Sequence, residues 1–188
     1  MRQEDFLSIL SVAEKLKCNT RHSDTSNGRR ESVAEHSWRL ALMAMLLEDE
    51  FPGVDINKVI KMCLIHDLGE AFTGDIATFN KTEKDSEKEE QLYMEWVDSF
   101  PKVQKKQFHE LLEEMLELQT EEAKLYKALD KMEAVIQHNE ADIASWLPLE
   151  YDLQLTYGAK EVEFSPYLLK LKECIDKWTK DKISASSY

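Results

Sequence analysis

Lys58-Val59-Ile60-Lys61-Met62-Cys63-Leu64-Ile65-His66-Asp67-Leu68-Gly69 decides how this chain is read. The first eight residues are apolar enough for a buried helix, and Asp55, three positions before them, can cap its start. The run ends in an adjacent imidazole and carboxylate. Successive residues on a helix point about 100° apart, so two neighbours reach one ion only near a helix end. Leu68-Gly69 follows at once, and glycine is the usual helix terminator. The pattern therefore predicts a helix running to His66-Asp67 and stopping at Gly69. A charged pair at the end of a buried helix is costly unless it is paired or metal-bound. Two readings stand side by side: an ion pair that caps the helix, or two ligands of a metal.

Working outward, the rest of the chain is also helical in character. Its 188 residues fit one domain, 1–188, with a sizeable core. Hydrophobic residues make up 43% and charged residues 32%, a globular rather than a disordered balance. Only 5 Gly and 4 Pro interrupt a chain rich in Leu, Glu, Lys, Met and Ala. The formal net charge of −13 argues against a nucleic-acid groove or an anionic membrane surface as partner. An anionic substrate would then need local positive charge, from a metal or from arginines. Cys18, Cys63 and Cys174 are odd in number and widely spaced, which fits a reducing compartment rather than a disulfide framework. No long apolar run follows Met1, so neither a signal peptide nor a membrane span is expected, and a soluble cytoplasmic protein is.

Phe6, Ile9, Leu10, Ala13 and Leu16 fall at helical spacing over about 4–17. Lys17 to Arg30 is polar and turn-rich and reads as a loop. Ser32-Val33-Ala34-Glu35 is a capping-box pattern that opens a helix to about Glu50, with His36 in its first turns. A loop is expected from Gly69 to Lys81. Helices follow over about 83–99, 102–118 and 120–142, and the third carries Leu125, Leu129, Met132, Val135 and Ile136 as an apolar stripe beside Asp130. Residues 146–164 are mixed. Ser165-Pro166 starts a last helix, expected over about 165–182, with Ser184 to Tyr188 as a frayed tail. The fold class is all-α, a bundle of roughly six or seven helices.

Four residues carry the chemistry: His36, His66, Asp67 and Asp130 can converge on one divalent ion. Nitrogen and oxygen ligands without thiolate suit Mn²⁺, Co²⁺, Fe²⁺ or Zn²⁺. Four protein ligands leave positions open on a five- or six-coordinate ion.

In their order along the chain these four residues resemble the HD-domain superfamily of metal-dependent phosphohydrolases. The strings Glu31-Ser32-Val33-Ala34-Glu35-His36-Ser37, His66-Asp67-Leu68-Gly69-Glu70 and Thr73-Gly74-Asp75 are similar to the YfbR-like 5′-deoxynucleotidase branch, over about residues 3–160. The resemblance implies a helical HD-type bundle that removes the 5′-phosphate from (deoxy)nucleoside 5′-monophosphates and acts as a homodimer. It implies that Glu70 handles the proton of the attacking water, that Asp75 contacts the nucleotide and that Arg21 grips the phosphate. The best-known bacterial members of the branch carry Trp directly after that arginine, as a wall against the ribose 2′-hydroxyl; this chain has His22, which can keep the wall, hydrogen-bond the substrate or face water. Two other readings stay open: hydrolysis of a different phosphorylated nucleotide, and a non-catalytic nucleotide-binding module. The remaining residues read blandly. His109 is expected at the surface, and His138 lies too far along its helix to join the same ion. Arg29, Arg30 and Arg39 are expected to pair with acids, while Lys131 can help neutralise the site.

Overall fold

The structure is a computed structural model that describes residues 1–186. Helix α1 (Gln3–Ala13) runs through a 3-10 turn into a hairpin of β1 (Thr20–Asp24) and β2 (Arg30–Ser32). Then come α2 (Val33–Leu46), α3 (Ile56–Ile65), the single turn α4 (Glu70–Thr73), α5 (Glu83–Asp98), α6 (Lys102–Glu117), α7 (Glu121–Glu140), the short α8 (Glu150–Thr156) and α9 (Pro166–Ser186). Among the described residues seven helices have ten residues or more, as the pattern predicts. No helix among the described residues is long and apolar enough to cross a membrane.

Local chemistry explains where these elements start. The Ser32 hydroxyl accepts from Glu35 N at 3.2 Å, and Glu35 Oε2 accepts from Ser32 N at 2.9 Å, which closes the capping box at the head of α2. Asp55 accepts from Lys58 N at 3.1 Å to start α3, and Thr120 from Ala123 N at 3.2 Å to start α7.

Helices α2, α3 and α7 pack on one another at the centre. Leu40 of α2, Val59 and Met62 of α3, and Leu125, Leu129 and Met132 of α7 are wholly buried there. Each such side chain contributes roughly 1.5–3 kcal/mol over its exposed state. Helix α9 docks on α7 through Leu168 and Ile175, and Thr179 Oγ1 donates to Asn139 Oδ1 at 3.0 Å.

Three expectations are corrected. The segment read as a loop from Lys17 to Arg30 is the antiparallel hairpin, Thr20 opposite Ser32 and Asp24 opposite Arg30. Asn27-Gly28 makes its turn, with Gly28 at φ +80°. Its strands are polar because one side faces a cleft, so no apolar alternation marks them; Gln137 Nε2 of α7 ties the hairpin down by donating to the Asp24 carbonyl at 2.6 Å. Gly69 does not end α3 in a left-handed conformation, since its φ is −59°. What it supplies is room: a Cβ there would lie 3.0 Å from Glu89 Cγ and 3.3 Å from Tyr93 Cβ. The chain resumes helical geometry at Glu70 and stops at Gly74, φ +77°, so the expected loop begins with a helical turn. Finally, α9 continues to Ser186, about a turn past its expected end; Ser187 and Tyr188 of the expected tail lie outside the described residues.

Candidate active site

The three central helices each bring part of one polar cluster to the same point. The capping box sets the first turn of α2 and so the direction of His36, which is 0% exposed. His66 caps α3 in right-handed helical geometry, and Asp130 comes from the middle of α7. His66 Nε2 lies 2.9 Å from Asp67 Oδ2. His36 Nε2 lies 3.9 Å from Asp67 Oδ2 and 3.3 Å from Asp130 Oδ1, and His66 Nε2 is 3.8 Å from the latter. The four residues picked from the sequence are therefore brought together, by three helices distant in sequence.

The outer nitrogens of both rings are engaged elsewhere. His66 Nδ1 faces the Cys63 carbonyl at 2.9 Å. His36 Nδ1 meets Glu133 Oε2 in a short contact, and Arg39 Nε donates to Glu133 Oε1 at 2.6 Å. An imidazole whose Nδ1–H is held by an oxygen presents the lone pair of Nε2, the usual arrangement of a metal-ligating histidine. His36 Nε2, His66 Nε2 and Asp67 Oδ2 are buried without a hydrogen-bond partner among the described residues. One donor atom each from His36, His66 and Asp67 lies within 4.8 Å of the others. Buried polar atoms left unmade are destabilising, and three facing one another fit a cation held between them. A second buried group, Glu31, His36 and Glu133, is as compact. It does not suit an ion, because Arg21 Nε lies 3.3 Å from Glu31 Oε2 and Arg39 holds Glu133, so arginines already balance its carboxylates.

The charges reflect this crowding. Burial opposes the ionised form of Asp130, but Lys127, whose Nζ donates to Asp130 Oδ2 at 2.9 Å, and His36 hold its carboxyl well below the usual range. Burial likewise works against Glu133, yet His36 and Arg39 bring it down to about 2. For His36, burial and Arg21 act to lower the pKa, and Glu133 and Asp130 outweigh them, raising it to about 9. Glu70 behaves in the opposite way. It is 5% exposed, its Oε2 has no hydrogen-bond partner among the described residues, and its main-chain carbonyl accepts from Asn19 Nδ2 at 2.6 Å. Burial, then the Asp67 and Asp75 carboxylates, push it up to about 10 despite Arg21.

The cluster sits at one end of a cleft of about 270 Å³. Arg21 on β1 lines it, with Nη1 3.6 Å from Asp67 Oδ2. Asp75 lines it too, with its pKa raised by burial. So does His22, whose Nε2 faces Glu150 Oε1 at 3.2 Å. Lys127, Lys131 and Lys81 bring positive charge to the same walls. Sequence reasoning missed Glu133, Glu31, Lys127 and Lys81. Glu133 was findable, since it lies four residues after Leu129 on the apolar stripe, where a carboxylate is out of place. His109 is half-buried and pairs with Asp98 at 2.9 Å, while Arg29, Arg30 and Arg39 pair with Glu35, Asp24 and Glu133. His138 lies away from the cluster, as expected, but lines the far end of the cleft.

The chain is similar to known proteins in sequence and in fold. The HD domain family matches residues 13–172. The 5′-deoxynucleotidase HDDC2 of Dictyostelium discoideum is 31% identical over 146 residues, covering 72% of this chain and 77% of that protein. The protein of the same name from Homo sapiens is 33% identical over 114 residues, covering 60% of this chain and 55% of that protein, so the matched segment spans about half of the human relative. A predicted metal-dependent phosphohydrolase from Magnetospirillum magnetotacticum superposes with a TM-score of 0.80 at 26% identity, covering 96% of this chain and 94% of that one.

Proposed function

This chain belongs to the HD-domain family, and from that premise we propose that it is a phosphomonoesterase using one divalent metal ion to remove the 5′-phosphate from (deoxy)nucleoside monophosphates. The observation that carries the reading is the set of three facing, unpartnered atoms, His36 Nε2, His66 Nε2 and Asp67 Oδ2, with both Nδ1 atoms engaged behind them. The names of the relatives support the substrate class. His36, His66, Asp67 and Asp130 would hold the ion, and their nitrogen and oxygen donors suit Mn²⁺, Co²⁺, Fe²⁺ or Zn²⁺. Such an ion supplies Lewis-acid polarisation of the phosphoryl group and a water of lowered pKa.

The other steps belong to the chain. Arg21 offers a planar guanidinium beside Asp67, suited to two phosphate oxygens at once. Lys127 and Lys131 add charge that offsets the dianion in a protein of net charge −13. Glu70, pushed up to about 10 and so protonated near neutral pH, gives its proton to the departing 5′-oxygen and is restored by a proton from the attacking water, with its Oε2 free of any hydrogen bond among the described residues. Asp75 sits across the cleft wall as a contact for the nucleotide. We also propose a homodimer, supported by α1, which buries no residue and exposes Phe6, Leu7 and Leu10; light scattering at twice the 21.9 kDa chain mass would bear this out.

The test is phosphate release by metal-stripped protein reconstituted with Mn²⁺, Co²⁺, Mg²⁺ or Zn²⁺. The panel pairs deoxy- and ribonucleoside 5′-monophosphates and adds 3′-monophosphates, triphosphates and cyclic nucleotides. Metal-dependent release confined to 5′-monophosphates is the expected result. Release only from another class would replace the substrate assignment, and silence throughout would leave a binding module.

A further inference from the structure

The cleft has a second end. Asp130 and His138 lie on one helix, eight positions apart in sequence, hence about 12 Å along its axis. At the His138 end, the rings of His22 and His138 both face Glu150 Oε1, at 3.2 and 3.0 Å. Phe79 packs edge to face on His22, ring centroids 5.3 Å apart. Gln154 of α8 completes this wall beside Leu153. It is 4% exposed, and its Oε1 is buried without a hydrogen-bond partner among the described residues. Of the cleft-lining residues with such an atom, Asp67 and Glu70 belong to the metal end. Gln154 is the orphan that a metal ion does not account for.

An unmade buried hydrogen bond is destabilising, and a ligand that completes it recovers the difference. The ligand's chemistry can be narrowed. The site is partly aromatic and aliphatic, its His138 wall lies about 12 Å along α7 from Asp130, comparable with the length of a nucleoside, and its unpartnered atom is a carboxamide oxygen. A carboxamide sets a donor and an acceptor side by side in one plane, the complement of a heterocycle that does the same. We propose that this end of the cleft is a nucleobase subsite, in which Gln154 hydrogen-bonds the edge of the base and Phe79 and Leu153 enclose it. The inference rests on the nucleotide reading given above and extends it to a residue. Every common base offers an adjacent donor and acceptor, and the amide can turn over to match either order. Gln154 therefore selects for the presence of a base more than for its identity.

The test compares 2′-deoxyguanosine 5′-monophosphate, thymidine 5′-monophosphate and the base-free 2-deoxyribose 5-phosphate. Equilibrium dialysis is run against chelator-treated protein, where no turnover competes, and phosphate release is followed with metal-loaded protein. Gln154→Leu should weaken both nucleotides about tenfold, the effect of one hydrogen bond, and leave the base-free sugar phosphate unchanged. Gln154→Glu offers only acceptors; it should keep the guanine nucleotide, whose base has two adjacent donors, and weaken the thymine one. A change in base preference is something a merely structural role would not produce. Equal losses on all three ligands, or none on any, overturn the subsite. Nucleotide binding that depends on Gln154 without phosphate release would uphold the subsite and overturn the phosphatase; phosphate release indifferent to Gln154 would do the reverse.

Discussion

Glu133 is 0% exposed, four residues along from Leu129 in the apolar stripe of α7, and it keeps its charge there because His36 and Arg39 grip one oxygen each. Its place behind a candidate ligand makes it a support for the metal rather than a holder of it. Glu133→Gln should lower metal affinity about 10–100-fold, the usual effect of losing such a partner, measured by titrating chelator-treated protein. An unchanged affinity would reduce Glu133 to a counter-ion for Arg39. Glu70→Gln separates the two roles the other way: metal binding stays, and kcat falls by about 10²–10⁴-fold. Of the four candidate ligands, His66 and Asp67 were legible because an imidazole and a carboxylate side by side at the end of an apolar helix are costly to bury unless something binds them; His36 and Asp130 joined them through the order in which the four follow along the chain. Glu133 was within reach of the same reasoning, four residues after Leu129, but on a charged helix one more glutamate looks like solvated surface until the apolar stripe is used to place it.

The capping box of α2 links stability to the site, since it sets the first turn, which carries His36. Ser32→Ala should cost about 1 kcal/mol, lowering Tm by roughly 2–4 °C for a chain of this size. Gly158 works at a different join. It sits at φ +78°, and a Cβ there would lie 2.8 Å from Lys131 Cβ. The residue before it, Tyr157, accepts from Lys131 Nζ at 2.7 Å and meets Thr78 Oγ1 at 3.0 Å, so it bridges α7 to the 74–82 segment over the cleft. Gly158→Ala should destabilise by about 1–3 kcal/mol in urea denaturation and raise KM, because Lys131 and Tyr157 move with it. Helix starts were readable from short-range chemistry: Ser32, Asp55 and Ser165 each stand just before a helix. The hairpin was not, because strands that face a polar cleft lack the alternation by which strands are recognised, and their pairing is with residues about ten positions away.

For the molecule as a whole, the raised and lowered groups predict how stability follows pH when metal is absent. Glu70 and Glu31, raised to about 10 and about 7 chiefly by burial, bind protons in the folded state that the unfolded chain has released. His36, raised to about 9, does the same above its ordinary value. The folded state then holds more protons than the unfolded one, and stability falls as pH rises through this range. Glu133 and Glu35, lowered to about 2, act only on the acid side, losing their contribution as pH falls from about 4.5 toward 2. With chelator, Tm should therefore fall steadily from pH 5 to pH 9. With a saturating divalent ion the slope should flatten or reverse, because the ligands must lose their protons to bind it. Parallel slopes in the two series would mean that the ion does not bind where His36, His66 and Asp67 meet.

One consequence concerns how such a protein can change over time. Asp130, one of the four candidate ligands, and His138, at the cleft's far end, are borne by the same uninterrupted α7. Inserting or deleting one residue between them would turn one half against the other by about 100°, separating the two ends of the cleft at a stroke. A lineage adapting this scaffold to a longer or shorter substrate is thus barred from adjusting the helix. Innovation is channelled into the 74–82 segment and α8, whose lengths can drift while the spacing along α7 stays as a fixed gauge.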